Sequence, residues 1–230
     1  MTPRVLVALT CLSVTVAAEP PAPRACAFER ADDLRAAKAS RGEVPEAWRR
    51  ALGRAASWGP LWPTPSGVWA AALSWDGGAR ATIAIAHAAP DGGVTLEQGE
   101  LQAGWSARYQ EGFAPELLGT PVVLRGRPLP LVQHEEMGGG GGGGPLVSII
   151  VPARDGGVRE QPLGALETFT NINYVAAAQD RCRGGLFASP DGTALRLERC
   201  FDDAPTTPLC FVWAPDAGDY RLVPSGPRRQ

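Results

Sequence analysis

The sequence contains two histidines, His87 and His134, so any chemistry that needs an imidazole is confined to these positions. His134 is followed by Glu135 and Glu136 and, after Met137, by a run of glycines. An imidazole with nearby carboxylates can bind a divalent metal or support hydrolysis, so His87, His134 and Glu135 are the candidate metal-binding or catalytic residues. However, adjacent residues of a strand point to opposite faces, and the H-E-x-x-H spacing is missing. We therefore favour a structural role for His87 and a solvated charge cluster at His134.

Nucleophile and cofactor motifs are incomplete. Ser106 lies in the segment GWSAR, which lacks the second glycine of the G-x-S-x-G nucleophile elbow. The glycine run at 138–144 is followed by Pro145, whereas a phosphate-binding loop continues with Lys and then Ser or Thr. We therefore expect no cofactor and favour a protein that is not an enzyme. A hydrolase or metal-dependent enzyme with a site near the two histidines remains the alternative.

Tryptophans are concentrated in one part of the chain. Trp58, Trp62, Trp69 and Trp75 lie close together. If they are exposed on a strand face, such indoles can stack on sugar rings or Pro-rich peptides, and a carbohydrate- or peptide-binding face is a second alternative function. Indoles also bury a large area when they fill a core. We favour the core for these four residues.

The charge pattern and the N-terminus bear on partners and location. The net charge is −2, with 22 basic and 24 acidic residues. They are mixed along the chain, so we expect no nucleic-acid partner. Arg4, an uncharged run and small residues ending at Ala18 are typical of a secretory signal peptide over residues 1–18. We expect a mature chain that starts at Glu19, carries no transmembrane anchor, and is periplasmic or secreted.

The cysteines indicate two disulfide bonds. Loss of residues 1–18 would remove one of the five cysteines and leave an even number, which favours disulfides in an exported chain. A three-residue hairpin loop at 190–192 would make Cys182 face Cys200, close enough for a cross-strand bond. Cys26 would then pair with Cys210. The alternative pairing, Cys200 with Cys210 and Cys26 with Cys182, remains open.

The N-terminal part predicts two helices. Residues 28–41 are rich in alanine and charged residues, with acidic side chains early and basic ones late, as the helix dipole favours. Residues 45–58 begin with Pro45 and Glu46, and their apolar residues recur at helical spacing up to Gly59-Pro60.

Strand patterns follow these helices. Apolar residues alternate with a period of two or form short runs in several segments, at 67–75, 81–88, 94–102, 145–151, 185–201 and 209–223. Asp-Gly pairs, which supply the positive φ angles of tight hairpins, stand at 76–77, 91–92, 155–156 and 191–192. We expect an α+β fold that is rich in antiparallel β structure, as a sheet or a sandwich. The two N-terminal helices would pack on one face, and disulfides would staple the fold.

The glycine run sets the domain prediction. Residues 138–144 cannot pack side chains, and we expect a flexible loop inside one domain at 19–230. The alternative is a linker between subdomains at 19–137 and 145–230. The favoured function is a non-catalytic exported binding or envelope module, whose partner could be another envelope protein or a glycan.

Overall fold

The computed structural model describes most of the chain, at residues 24–28, 33–35, 44–52, 57–75, 80–89, 91, 93–102, 115–137, 143–168, 182–202 and 204–224. The predicted signal peptide at 1–18 lies outside the described residues. These residues form one 3₁₀ turn, one helix and fifteen strands: η1 (Arg24–Cys26), α1 (Glu46–Leu52), β1 (Ser57–Thr64), β2 (Gly67–Trp75), β3 (Arg80–Ala88), β4 (Val94–Gln102), β5 (Glu116–Leu117), β6 (Val122–Leu124), β7 (Arg127–Leu129), β8 (Leu131–Met137), β9 (Gly143–Pro152), β10 (Val158–Ala165), β11 (Glu167–Thr168), β12 (Gly185–Ala188), β13 (Ala194–Phe201), β14 (Ala204–Ala214) and β15 (Asp219–Val223).

The strands form three main sheets. Sheet 1 has the order β1-β2-β3-β4, and sheet 2 has the order β10-β9-β8-β5. Sheet 3 has the order β11-β13-β14-β15, with β12 also paired to β13, and β6 and β7 form a separate hairpin. Every pair is antiparallel except β11 with β13. The prediction of a β-rich, antiparallel, disulfide-containing fold is therefore confirmed.

The prediction of two N-terminal helices is wrong, because α1 is the one α-helix among the described residues. Within the first predicted helix, Leu34 N–H donates to the carbonyl oxygen of Leu186 at 3.0 Å. Asp33 Oδ1 accepts from Leu186 N–H at 3.2 Å. These bonds to β12 hold Asp33 and Leu34 in a turn instead of a helix, and most other positions of 28–41 lie outside the described residues. The second predicted helix is shorter than expected, since Trp58 already belongs to β1.

Sheet 2 lies between two hydrophobic cores. Along β9, Ile149 packs in the core shared with sheet 3, and its neighbour Ile150 packs in the core shared with sheet 1. Both side chains are fully buried. A strand covered on both faces needs a continuous apolar run, which explains the sequence LVSIIV at this point. Val44 and Trp48, from α1 and its N-terminal side, cover the opposite face of sheet 1, next to Ala70 and Ala86.

Three of the hairpin turns contain the same hydrogen bond between an aspartate side chain and the backbone. The carboxylates of Asp91, Asp155 and Asp191 each accept a hydrogen bond from the backbone N–H two residues further on, at 2.9, 3.1 and 3.1 Å. Gly156 and Gly192 follow with positive φ angles of 89° and 71°. The Asp-Gly chemistry noted in the sequence therefore forms the turns between β9 and β10 and between β12 and β13.

Two glycines allow strands of different sheets to approach closely. A Cβ atom on Gly99 of β4 would overlap the carbonyl oxygen of Val158 in β10. A Cβ atom on Gly144 of β9 would overlap the carbonyl oxygen of Glu167 in β11. Gly144 is part of the glycine run that was expected to be a flexible loop, but it belongs to a strand that pairs with β8. Residues 138–142 lie outside the described part of the chain.

None of the helices in the described residues has the length and apolar character needed to cross a membrane.

Candidate functional site

Two disulfides fasten segments of the chain to strands of sheet 3. Cys26 is bonded to Cys210 of β14, and Cys182, just before β12, is bonded to Cys200 of β13. Both pairs have a Cα–Cα distance of 5.9 Å. The hairpin count that favoured this pairing was wrong by one residue, because Ser189 bonds Ala194 across a four-residue loop. The bond between Cys182 and Cys200 is nevertheless reached, because Cys182 precedes the paired part of the hairpin.

His87 belongs to a cluster at one end of the inner face of sheet 1. Its ring stacks on Trp69 with centroids 4.2 Å apart and an angle of 30° between the planes. Its Nε2 lies 3.9 Å from Glu97 Oε1, and Arg127 of β7 forms an ion pair with the same carboxylate. Ser66 Oγ accepts a hydrogen bond from the Trp69 indole at 3.2 Å. The charges in this cluster are paired internally, and the cluster ties the β6–β7 hairpin to sheet 1.

His134 is buried, which corrects the prediction of a solvated cluster. It lies in β8 with 2 % of its surface exposed, and its Nε2 is 2.8 Å from Glu160 Oε1 of β10. Ser148 of β9, between these strands, faces Val132 and is fully buried on the same side of sheet 2. Strand alternation gives the physical reason, since His134 shares its parity with the core residue Val132.

A serine, a histidine and a carboxylate are the groups of nucleophilic catalysis, but their geometry here is structural. Ser148 Oγ and His134 Nδ1 each lack a hydrogen-bond partner among the described residues. Ser148 also has no solvent-accessible surface through which a substrate could reach it. The pair of His134 and Glu160 therefore acts as a polar link between β8 and β10 inside the fold.

The structure does not bring the proposed metal ligands together. His87 lies against Trp69 and Glu97 on sheet 1, whereas His134 bonds Glu160 on sheet 2. The side chain of Glu135 lies outside the described residues. In the described part of the chain, no group of three or more His, Cys, Asp or Glu residues could hold a metal ion.

The tryptophans lie mainly between layers. Trp62 and Trp69 are 6 % and 7 % exposed in the core between sheets 1 and 2, and Trp62 Nε1 donates to the carbonyl oxygen of Gly119. Trp58 packs against the hydrophobic cluster between α1 and sheet 1. Trp75 packs against the edge of the core between sheets 1 and 2. A stacking platform for a sugar needs one exposed face of an indole, and the burial of Trp62 and Trp69 leaves too little surface for it.

A cleft of about 570 Å³ lies where two turns of different sheets meet. One wall is the turn after β9, and the other is the turn between β14 and β15. The lining consists of residues 152–154, Arg159 and residues 215–219. Prolines and alanines form its apolar surface, and four side chains carry charge. This cleft is the candidate functional site.

Polar contacts between β10 and β15 hold the two walls together. Arg159 Nη2 donates to the carbonyl oxygen of Gly218 at 3.2 Å and lies 3.5 Å from Asp219 Oδ2. The side-chain amide of Gln161 bonds both backbone groups of Tyr220, accepting from its N–H and donating to its carbonyl oxygen. Because sheets 2 and 3 are joined at this point, the cleft is formed before any ligand arrives.

The charged side chains that line the cleft are two arginines and two aspartates, and both aspartates are paired with arginines. Asp219 lies between Arg159 and Arg221, and Asp216 Oδ2 is 3.4 Å from Arg221 Nη2. Arg154 is exposed, and its side chain makes no hydrogen bond or ion pair with a described residue. The cleft therefore presents one guanidinium that has no ion-pair partner among the described residues.

Sequence reasoning missed this site. One of its two turns, at Asp155-Gly156, is among the Asp-Gly pairs of the sequence, and the other, at 216–218, is not. Their adjacency depends on the packing of sheet 2 on sheet 3, which no local pattern reveals.

No protein-family model, curated protein or solved structure matches this chain.

Proposed function

We propose that the protein is an exported, non-catalytic binding module of the periplasm or of the extracellular space. The observation that carries this proposal is the pair of disulfides, Cys26–Cys210 and Cys182–Cys200. Disulfides persist in oxidising compartments and are rare in the cytosol of mesophiles. The proposed signal peptide at residues 1–18 would deliver the chain to such a compartment, and the mature protein would form a single domain.

The support for binding comes from the construction of the cleft. Both walls are turns, and functional contacts concentrate on loops that a rigid scaffold holds in place. The scaffold here consists of stacked sheets joined by Arg159 and Gln161. A preformed site costs less ordering entropy when a ligand binds than a site that must first assemble.

Export is tested by expressing the full chain in a bacterial host. The proposal predicts that the protein is recovered outside the cytoplasm with Glu19 as its first residue. It also predicts no titratable thiol in denaturant, and cross-linked peptides that contain Cys26 with Cys210 and Cys182 with Cys200 in a non-reducing map. The matched control is a chain that starts at Glu19 behind an initiator methionine, which should stay in the cytoplasm. Recovery of a soluble cytoplasmic protein with Met1 intact and free thiols would refute the proposal.

A further inference from the structure

We propose that the cleft between residues 152–154 and residues 215–219 binds a carboxylate of an acidic peptide segment, with Arg154 as the principal donor. This inference rests on the proposed function, because it assigns a ligand class to the binding module. It goes further by naming the residue that selects the ligand.

The first argument is the pairing of the charged side chains, because the lining as a whole holds as many arginines as aspartates. Counting the two cleft aspartates and the arginines around them, Asp216 and Asp219 are paired with Arg221 and Arg159. Arg154 is the remaining charge in the lining, and it has no partner among the described residues. An anion that enters the cleft would meet this guanidinium without having to break an ion pair of the fold.

The second argument is the geometry of the donors. A guanidinium presents parallel N–H groups that match the two oxygens of a carboxylate. Arg159 stands in the same lining with 41 % of its side chain exposed, and its hydrogen bonds to Gly218 and Asp219 both use Nη2. A carboxylate held by Arg154 would therefore share the cleft lining with a second arginine, whose own carboxylate partner is Asp219.

The third argument separates a peptide from a sugar. No Trp, Tyr or Phe is among the residues that line the cleft. Carbohydrate sites gain much of their affinity from rings that stack on aromatic side chains, and such a platform is missing from the lining. Pro152, Pro215, Ala153 and Ala217 offer short aliphatic walls instead, which suit an extended backbone and the methylene groups of a glutamate.

The experiment uses the full chain, purified after export with both disulfides formed. Binding is measured by fluorescence anisotropy with a labelled peptide of alternating Glu and Ala, and the comparison peptide has Gln in place of every Glu. An oligomer of galacturonic acid forms a third arm, because it offers the same carboxylate on a sugar ring.

We expect the Glu peptide to bind at least tenfold more tightly than the Gln peptide, with an affinity that falls as salt is added. Arg154→Ala should weaken Glu-peptide binding about tenfold, and Arg154→Lys should restore only part of the loss. The matched control is Arg49→Ala, which removes an exposed arginine from α1 and should change the affinity less than twofold.

Equal binding of the Glu and Gln peptides, or unchanged binding by Arg154→Ala, would overturn the assignment. Binding of the galacturonate oligomer without binding of the peptide would also overturn it. If oxidised, exported protein binds neither ligand, the ligand class is wrong while the evidence for export stands. If mass spectrometry finds the peptide cleaved by the wild-type protein, the proposed non-catalytic function itself fails.

Discussion

Asp191 shows how much order one exposed side chain can impose. Its carboxylate accepts hydrogen bonds from Ser189 Oγ at 2.7 Å, from Thr193 N–H at 3.1 Å and from Thr193 Oγ1 at 2.8 Å. These bonds, led by that from Ser189, lower the pKa of Asp191 from 3.8 to about 2. The next residue, Gly192, accepts a hydrogen bond from the hydroxyl of Tyr220, whose pKa is raised by burial and by the nearby Asp191 charge. The turn is thereby fixed to β15.

The lowered pKa predicts an acid-dependent contribution to stability. A carboxylate whose folded pKa is depressed stabilises the fold above its unfolded pKa and loses that effect as the pH falls through the folded pKa. Wild type should therefore be more stable than Asp191→Asn at pH 7, and the difference should shrink between about pH 4 and about pH 2. Urea unfolding at several pH values measures this. Asp155→Asn, at the equivalent turn position with one backbone bond, should show a smaller difference. A difference independent of pH would contradict the prediction.

The buried pair of His134 and Glu160 predicts strong coupling. Replacing either residue with leucine leaves its partner buried without that bond, and each single change should cost about 1–3 kcal/mol. The double variant should cost less than the sum, because both polar groups leave together. A double-mutant cycle from urea unfolding measures the coupling. The control cycle is the exposed pair Glu46 and Arg50, 3.6 Å apart on α1, which should couple by less than about 0.5 kcal/mol. Equal coupling in both cycles would contradict the prediction that the buried pair is coupled more strongly than the exposed pair.

At the scale of elements, β15 is an edge strand whose exposed backbone is partly covered. The backbone N–H and C=O groups on its outer side could pair with a strand of another protein molecule, and exposed edge strands in general favour such association. Gln161 of β10 places its side-chain amide against Tyr220 and satisfies both backbone groups there. One side chain therefore covers the edge at Tyr220 and joins sheets 2 and 3.

Gln161→Ala should expose this edge. We expect a loss of about 1–3 kcal/mol in the free energy of unfolding, because two hydrogen bonds to backbone groups disappear. We also expect self-association that increases with protein concentration. Urea unfolding and sedimentation velocity measure these effects. Gln133→Ala, on β8, removes a half-buried glutamine whose side chain makes no hydrogen bond with a described residue, and it should change neither quantity as much. A monomeric Gln161→Ala variant with wild-type stability would rule out the proposed role.

The elements that sequence analysis predicted well are those decided locally. The turns at Asp155 and Asp191 follow from the Asp-Gly pair itself, and β2 and β3 follow from alternation within each segment. The first predicted helix failed because Asp33 and Leu34 bond to Leu186, a residue far along the chain. Intrinsic helix preference is weak compared with such tertiary contacts.

At the scale of the whole molecule, the two disulfides close chain segments of very different length. The bond between Cys26 and Cys210 closes a separation of 184 residues, and that between Cys182 and Cys200 closes one of 18 residues. The sequence reduced the possible cysteine pairings, because Cys182 and Cys200 flank a predicted hairpin. It did not reveal that sheet 2 lies between the cores shared with sheets 1 and 3. The candidate cleft could not be predicted from the sequence either, because its walls come from different sheets.

The two disulfides should differ in their effect on stability. In the chain-entropy model, removing the longer crosslink with Cys26→Ala and Cys210→Ala costs about 5 kcal/mol. Removing the shorter one with Cys182→Ala and Cys200→Ala costs about 3 kcal/mol. Urea unfolding without reductant measures both double variants, and single Cys→Ala variants are avoided because they leave a reactive thiol. A larger loss for the shorter crosslink would contradict the model.

The close approach of strands at Gly99 and Gly144 has an evolutionary consequence. Any side chain at position 99 would collide with the carbonyl oxygen of Val158, and any side chain at position 144 would collide with that of Glu167. Natural selection on this architecture should therefore preserve glycine at both sites even where the surrounding cores drift. These two glycines, together with the four bonded cysteines, form a sparse signature by which divergent homologues could be detected.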